Sequence, residues 1–227
     1  MLLEIRDIQK SFKSRYGKVV REVLRGTDLS VERGEKIAIA GPSGSGKTTL
    51  LNLTGTLDFP DKGEIYFRGN PLSGMDTLQL DSFRNREIGF IFQFHHLLPQ
   101  LTLWENILIP ALPVKGGKAK LYDRAEELLK ETGLWELRHQ KPDELSGGEC
   151  QRTAVVRALI NSPSLILADE PTGSLDSENA SMLIDLLIKL NGKENSGMIV
   201  VTHSMEIASR MDKTYRLDDG KLVLAKN

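Results

Sequence analysis

One stretch, Lys36 to Thr54, limits more than any other what this chain can fold into. Lys36-Ile37-Ala38-Ile39-Ala40 is a short apolar run, Gly41-Pro42-Ser43-Gly44-Ser45-Gly46-Lys47-Thr48 follows it, and Thr48 to Thr54 carries leucines at helical spacing. The order is strand, glycine-rich turn, helix. Two glycines five apart, then a lysine and a hydroxyl residue, form the pattern of a loop that wraps a polyphosphate. Glycines allow the backbone to turn successive N–H groups inward, and the start of the next helix adds positive potential. Lys47 is expected at the β and γ phosphates and Thr48 on Mg²⁺. Gly41, Ser43, Gly44, Ser45, Gly46 and Thr49 are the remaining nucleotide-binding candidates of this segment.

A second element carries acids. Leu165-Ile166-Leu167-Ala168 is a continuous apolar run of the kind covered on both faces in a parallel sheet, and it ends in Asp169-Glu170. Carboxylates at the C-terminal end of such a strand lie where α/β sheets hold ligands. Asp169 suits the Mg²⁺ shell, and Glu170 suits a general base that polarises the attacking water, a role worth typically 10²–10⁴-fold in rate. Met198 to Val201 reads as another covered strand, and helices are expected over Asn179–Leu190 and Met205–Arg210. Tyr215-Arg216-Leu217 and Leu222-Val223-Leu224 form a hairpin about Asp219-Gly220.

Leu2 to Ile8 and Val23 to Val31 mix apolar and polar residues at strand spacing, with Arg25-Gly26 and Arg33-Gly34 as breaks, and read as an antiparallel β layer. Between Gln93 and Asn161 the pattern turns mostly helical, clearest over Tyr122–Glu131 and Gly148–Ile160. The expected fold is α/β, with a mostly parallel sheet, an N-terminal antiparallel layer and an inserted helical subdomain. Residues 1–92 and 162–227 form the core, and 93–161 the insert.

Bulk composition narrows the function. Thirty basic residues against thirty-one acidic ones leave a net charge of -1, so no global field recruits nucleic acid or anionic lipid. The single cysteine, Cys150, has no partner for an intramolecular disulfide and reads as a packed thiol of a reducing cytoplasm. The apolar run Ile107–Val114 is far shorter than the roughly 20 residues of a spanning helix and contains Pro110 and Pro113.

Leu145-Ser146-Gly147-Gly148-Glu149 opens a helical run. Ser146 and Glu149 make an S-x-x-E capping box, which does not require two glycines. The glycine pair points to a backbone that something approaches closely, and a helix start with exposed N–H groups suits phosphate. With this motif beside the two others, the chain resembles the ABC ATPases nearly end to end.

The resemblance implies further roles. Gln93 lies in the loop that meets Mg²⁺ and the reacting phosphate, Ser174-Leu175-Asp176 in the loop facing the second subunit, and His203 contacts the γ-phosphate. Phe12 is the aromatic residue against adenine, with Tyr16 as its backup; the missing hydroxyl points to modest base selectivity. Ser146, Gly147, Gly148 and Glu149 close over the nucleotide of a second copy, so two chains sandwich two MgATP. Glu149 stands where glutamine is more frequent; because a carboxylate aimed at phosphate repels it, Glu149 is expected to turn back and cap its helix. Ser174 stands where asparagine or alanine is usual.

Phe92-Gln93-Phe94-His95-His96-Leu97-Leu98-Pro99 resembles the corresponding stretch of the family's LolD group, ATPases of bacterial lipoprotein-releasing systems. That implies integral-membrane permease partners of LolC/LolE type and a peripheral place on the cytoplasmic face of the inner membrane. A MacB-like export ATPase and an FtsE-like division ATPase remain alternatives. The adjacent histidines lack paired ligands at metal spacing and read as a partner-facing loop. No Asn-Lys-x-Asp motif supports a GTPase.

Overall fold

The computed structural model describes residues 1–13, 19–113 and 118–225, with the side chains of residues 13, 19, 20 and 118 excepted. Tyr16 lies outside the described residues. The chain starts in two long strands, β1 (Leu3–Lys13) and β2 (Val19–Val31), paired antiparallel. Arg25-Gly26 does not break β2. Ile8 pairs with Thr27 and Gln9 with Arg25, so Gly26, at φ 82°, is an extra residue accommodated as a bulge within one continuous strand. β4 (Lys62–Phe67) and β5 (Asn70–Pro71) extend this sheet to the order β2-β1-β4-β5.

The second sheet contains β3 (Lys36–Ala40), β6 (Ile88–Phe92), β7 (Leu165–Asp169), β8 (Gly197–Val201), β9 (Lys213–Asp218) and β10 (Lys221–Leu224). Its order is β10-β9-β3-β8-β7-β6, and every pairing except that of the terminal hairpin is parallel. The hairpin turns through Asp219 and Gly220, both at positive φ (43° and 74°), as an Asp-Gly turn demands. β7 and β8 are buried almost throughout, which explains their unbroken apolar sequence.

Helices α1 (Lys47–Thr54), α2 (Thr77–Glu87), α3 (Leu103–Leu108), α4 (Lys118–Glu131), α5 (Gly147–Leu159), α6 (Ser177–Glu194) and α7 (Met205–Ala208), with three 3₁₀ turns, complete the regular structure among the described residues. Asp76 and Gln79, Thr102 and Glu105, and Ser146 and Glu149 form reciprocal capping boxes at the starts of α2, α3 and α5. One apolar cluster joins the inner face of the antiparallel sheet to α1 and one face of the parallel sheet. The other joins the opposite face, through Ala38, Ile91, Ile166 and Val200, to α3, α4, α5 and α6. The helical stretch therefore shares its core with the sheet. No helix among the described residues is long and apolar enough to cross a membrane.

Candidate functional site

Strand register assembles the site. Phe92 of β6 pairs with Asp169 of β7, Asp169 with Val201 of β8, and Val201 with Ile39 of β3. The residues leaving these four neighbouring strands are Gln93, Glu170, Thr202-His203 and Gly41, so segments far apart in sequence converge at the carboxyl edge of the sheet.

The loop after β3 closes on itself. Lys47 is buried, and its ammonium donates to the carbonyls of Gly41 (2.9 Å) and Pro42 (3.0 Å). Ser45 donates its backbone N–H to Pro42 at 3.2 Å, while its buried hydroxyl has no partner among the described residues. Gly46 caps α1 at φ 109° with no side-chain hydrogen bond, and a Cβ there would lie 2.5 Å from Cγ1 of Val23. The first turn of α1 holds no acid. Its N–H groups and Lys47 thus form a cationic cradle of the kind that suits phosphate.

Asp169 sits beside that cradle. Burial raises its carboxyl above the usual range, and Glu170 adds to this; a hydrogen bond with Thr48 and the charge of Lys47 oppose it. Thr48 and Asp169 are hard oxygen donors within reach of each other, and the carboxyl's burial leaves it short of positive charge, so the pair fits Mg²⁺.

Glu170 follows with φ at 46°, its N–H donating to Val201 at 2.9 Å. Its carboxylate accepts from the His203 backbone N–H at 3.3 Å and lies 2.9 Å from Nδ1 of the His203 ring. The Gln93 side chain packs against Gly173, and the Gln93 main-chain carbonyl accepts from the Ser174 hydroxyl at 3.3 Å. Asp176 caps α6, accepting from Asn179 N–H at 2.9 Å.

Phe12 is exposed on β1, with the Lys10 ammonium 5.9 Å from its ring centre, free to offer a face to a base. At α5 the cap expected of Glu149 is present. Ser146 donates its N–H (2.7 Å) and its hydroxyl (2.8 Å) to Glu149, whose own N–H returns to the hydroxyl at 3.3 Å. These bonds hold the Glu149 carboxyl below its usual range. With its hydroxyl engaged, Ser146 offers less than its bare sequence suggests, and the outward donors are those of Gly147 and Gly148. Gly147 borders open space; Gly148 lies against Asn179, which also bonds Asp176. No hydrogen bond or ion pair joins Ser146–Glu149 to Gly41–Thr49 among the described residues.

Three supporting residues carried no signal in the sequence reading. Gln151 of α5, fully buried, donates to the Phe92 carbonyl at 2.8 Å and ties the glycine-bearing helix to the strand before Gln93. Arg157 donates to the carbonyls of His95 (2.6 Å) and His96 (2.7 Å) and fixes the loop beyond it. Arg21 reaches the Gly44 carbonyl. Each acts through a main-chain carbonyl distant in sequence, which no local pattern marks.

Known proteins resemble this chain in sequence and fold. A family model described as ABC transporter matches residues 24–173. The lipoprotein-releasing system ATP-binding protein LolD of Syntrophus aciditrophicus (strain SB) is 45% identical over 98% of this chain and 99% of its own. Among solved structures, the dimeric post-hydrolysis state of the cassette MJ0796 bound to ADP and Pi superposes with a TM-score of 0.89 at 36% identity, covering 99% of this chain and 98% of that one. CbiO1 of Clostridium perfringens, part of a cbiONQ transporter complex, gives 0.86 at 25% identity over 98% and 87%. On family model, full-length relative and fold alike, the chain belongs to the ABC transporter family and is one of its ATP-hydrolysing cassettes.

Proposed function

We propose that this cassette hydrolyses MgATP to power the release of lipoproteins from the inner membrane through a separate permease. The observation that carries the proposal is the 45% identity to a lipoprotein-releasing ATPase over essentially both full lengths. The loop Phe94–Leu98 supports it. Phe94 and Leu98 are exposed, the loop's backbone is pinned by Arg157, and an adjoining groove of 430 Å³ is lined by Leu57, Phe90, Phe92 and Ile109. A rigid loop with apolar tips beside an apolar groove suits a membrane partner of LolC/LolE type, with this chain held peripherally at the cytoplasmic face.

Within one chain, the cradle of Gly41, Ser43, Gly44, Ser45, Gly46, Lys47, Thr48 and Thr49 holds the phosphates, and Phe12 stacks on the base. Lys47 leaves the carbonyls of Gly41 and Pro42 for the phosphates, and the Ser45 hydroxyl gains the partner it lacks. Thr48, Asp169 and Gln93 would hold Mg²⁺, which when bound offsets charge on the phosphate oxygens. Glu170 takes the proton of the attacking water, and His203, held on the Glu170 carboxylate, keeps that side chain aimed. Gly147 and Gly148 face the nucleotide of a second copy, Ser146 and Glu149 hold the helix start that presents them, and Asp176 lies at the join, so the working unit is a two-chain sandwich. Residues 93–161 move against the remainder as it closes.

The work required sets the division of labour. At ~0.8 kcal/mol per buried CH₂, an acyl chain of about sixteen carbons resists extraction by about 12 kcal/mol. A cassette that never meets the chain must act through a permease that shelters it. The test is a mild-detergent pull-down of tagged Glu170→Gln with ATP, identifying the membrane proteins retained. A lipoprotein-releasing permease is expected; a division-site protein or a macrolide-type exporter in its place would overturn the role and leave the ATP site untouched.

A further inference from the structure

Arg21 stands on β2 directly opposite Phe12, and its guanidinium donates to the Gly44 carbonyl at 2.6 Å. It lines an open cavity of 540 Å³ with Ser43, Gly44 and Ser45 on one wall and Arg25 and Asp219 on another. Arg25 is neutralised there by Asp219 at 2.9 Å and Glu22 at 3.4 Å. Arg21 makes no ion pair among the described residues, so its placement answers to the loop and not to a carboxylate.

The consequence follows from peptide planarity. The carbonyl of Gly44 and the N–H of Ser45 belong to one peptide unit and point in opposite directions. With the carbonyl held toward β2, the Ser45 N–H is turned across the loop, where it makes only a 3.2 Å bond to Pro42. Gly44, at φ 74°, gives that unit little steric resistance to rotation. We infer that Arg21 is a positioning residue for the nucleotide: it locks the Gly44–Ser45 peptide so that an N–H, and not a carbonyl, faces the phosphates. This rests on the reading of Gly41–Thr48 as the phosphate site.

The test uses the full chain with Arg21→Ala, Arg21→Lys and Lys47→Ala, measuring ATP and ADP affinity, nucleotide-free melting temperature and the Ser45 amide resonance. Arg21→Ala is expected to weaken both nucleotides about ten-fold or more, the scale of a lost charge-assisted hydrogen bond. It should shift the Ser45 resonance without nucleotide and leave the melting temperature unchanged. Arg21→Lys, which keeps a charged donor, should recover most of the affinity. Native affinity in Arg21→Ala, or an unmoved Ser45 resonance whatever the affinities, would overturn the inference alone. Unchanged ATP binding in Lys47→Ala would instead remove the phosphate-site reading beneath it.

Discussion

The starts of α1 and α5 are both glycine-bearing helix N-termini assigned to phosphate, yet they are finished in opposite ways. α1 has a glycine cap with no side-chain bond, no acid in its first turn, and a lysine folded into the loop before it. α5 has a complete capping box and a carboxylate in its first turn. An uncapped start leaves its N–H groups open to water or a ligand, whereas a capped one already has partners of its own. Under the proposed function, the difference accounts for how one chain would grip phosphate at α1 and offer only a fitting surface at α5.

Removing the cation should break the comparison most sharply. Lys47→Ala is expected to abolish measurable ATP binding by titration, and Glu170→Gln to retain binding while lowering hydrolysis by 10² or more; native turnover in Glu170→Gln would dismiss Glu170 as the base. Gly46→Ala forces a Cβ into Val23 at a left-handed backbone angle and should cost about 2 kcal/mol or more in denaturant unfolding. No such penalty is expected for Gly147→Ala, whose Cβ would meet nothing in the single chain. Equal losses at the two glycines would erase the contrast.

Asp169 gives an effect of intermediate size. Its native carboxyl is raised by burial, so the ionised form is disfavoured by folding, and the stability it contributes is present at low pH and lost as pH rises through that raised value. Asp169→Asn should therefore melt higher than the native chain at neutral pH without nucleotide, while losing Mg²⁺-dependent hydrolysis. A lower melting temperature would contradict this account of Asp169.

The smallest effect belongs to the cap. Ser146→Ala should destabilise by about 1 kcal/mol. The Glu149 carboxyl is lowered in the fold, so its contribution is present above the usual carboxylate range and is lost as pH falls through the depressed value. Glu149→Gln should remove that acid dependence and keep the cap, since an amide oxygen also accepts from Ser146. An unchanged acid limb in unfolding curves would show the carboxylate to be idle.

Much of this was legible in the sequence because it is local. The buried strands Leu165–Asp169 and Gly197–Val201 announce themselves by unbroken apolar runs, and the Asp-Gly hairpin by its turn. α2 gave no signal because its inward face amounts to Leu80 and Phe83 among charges, with Leu78 left exposed. β4 was hidden because Ile65 and Phe67 are its only buried apolar residues. The Arg25-Gly26 pair misled because glycine serves a bulge as readily as a break.

The sequence by itself determined which chemistry is present: the glycine loop, its lysine and threonine, the paired acids and the reciprocal cap are each set by neighbours within a few residues. Tertiary structure alone decided what meets what. Strand register brings Gln93, Glu170, His203 and Gly41 to one sheet edge, ties Glu170 to His203, and sets Arg21 on the Gly44 carbonyl from a strand more than twenty residues away. Local backbone preference acts over a few residues, and such pairings follow only from the order in which strands join the sheet.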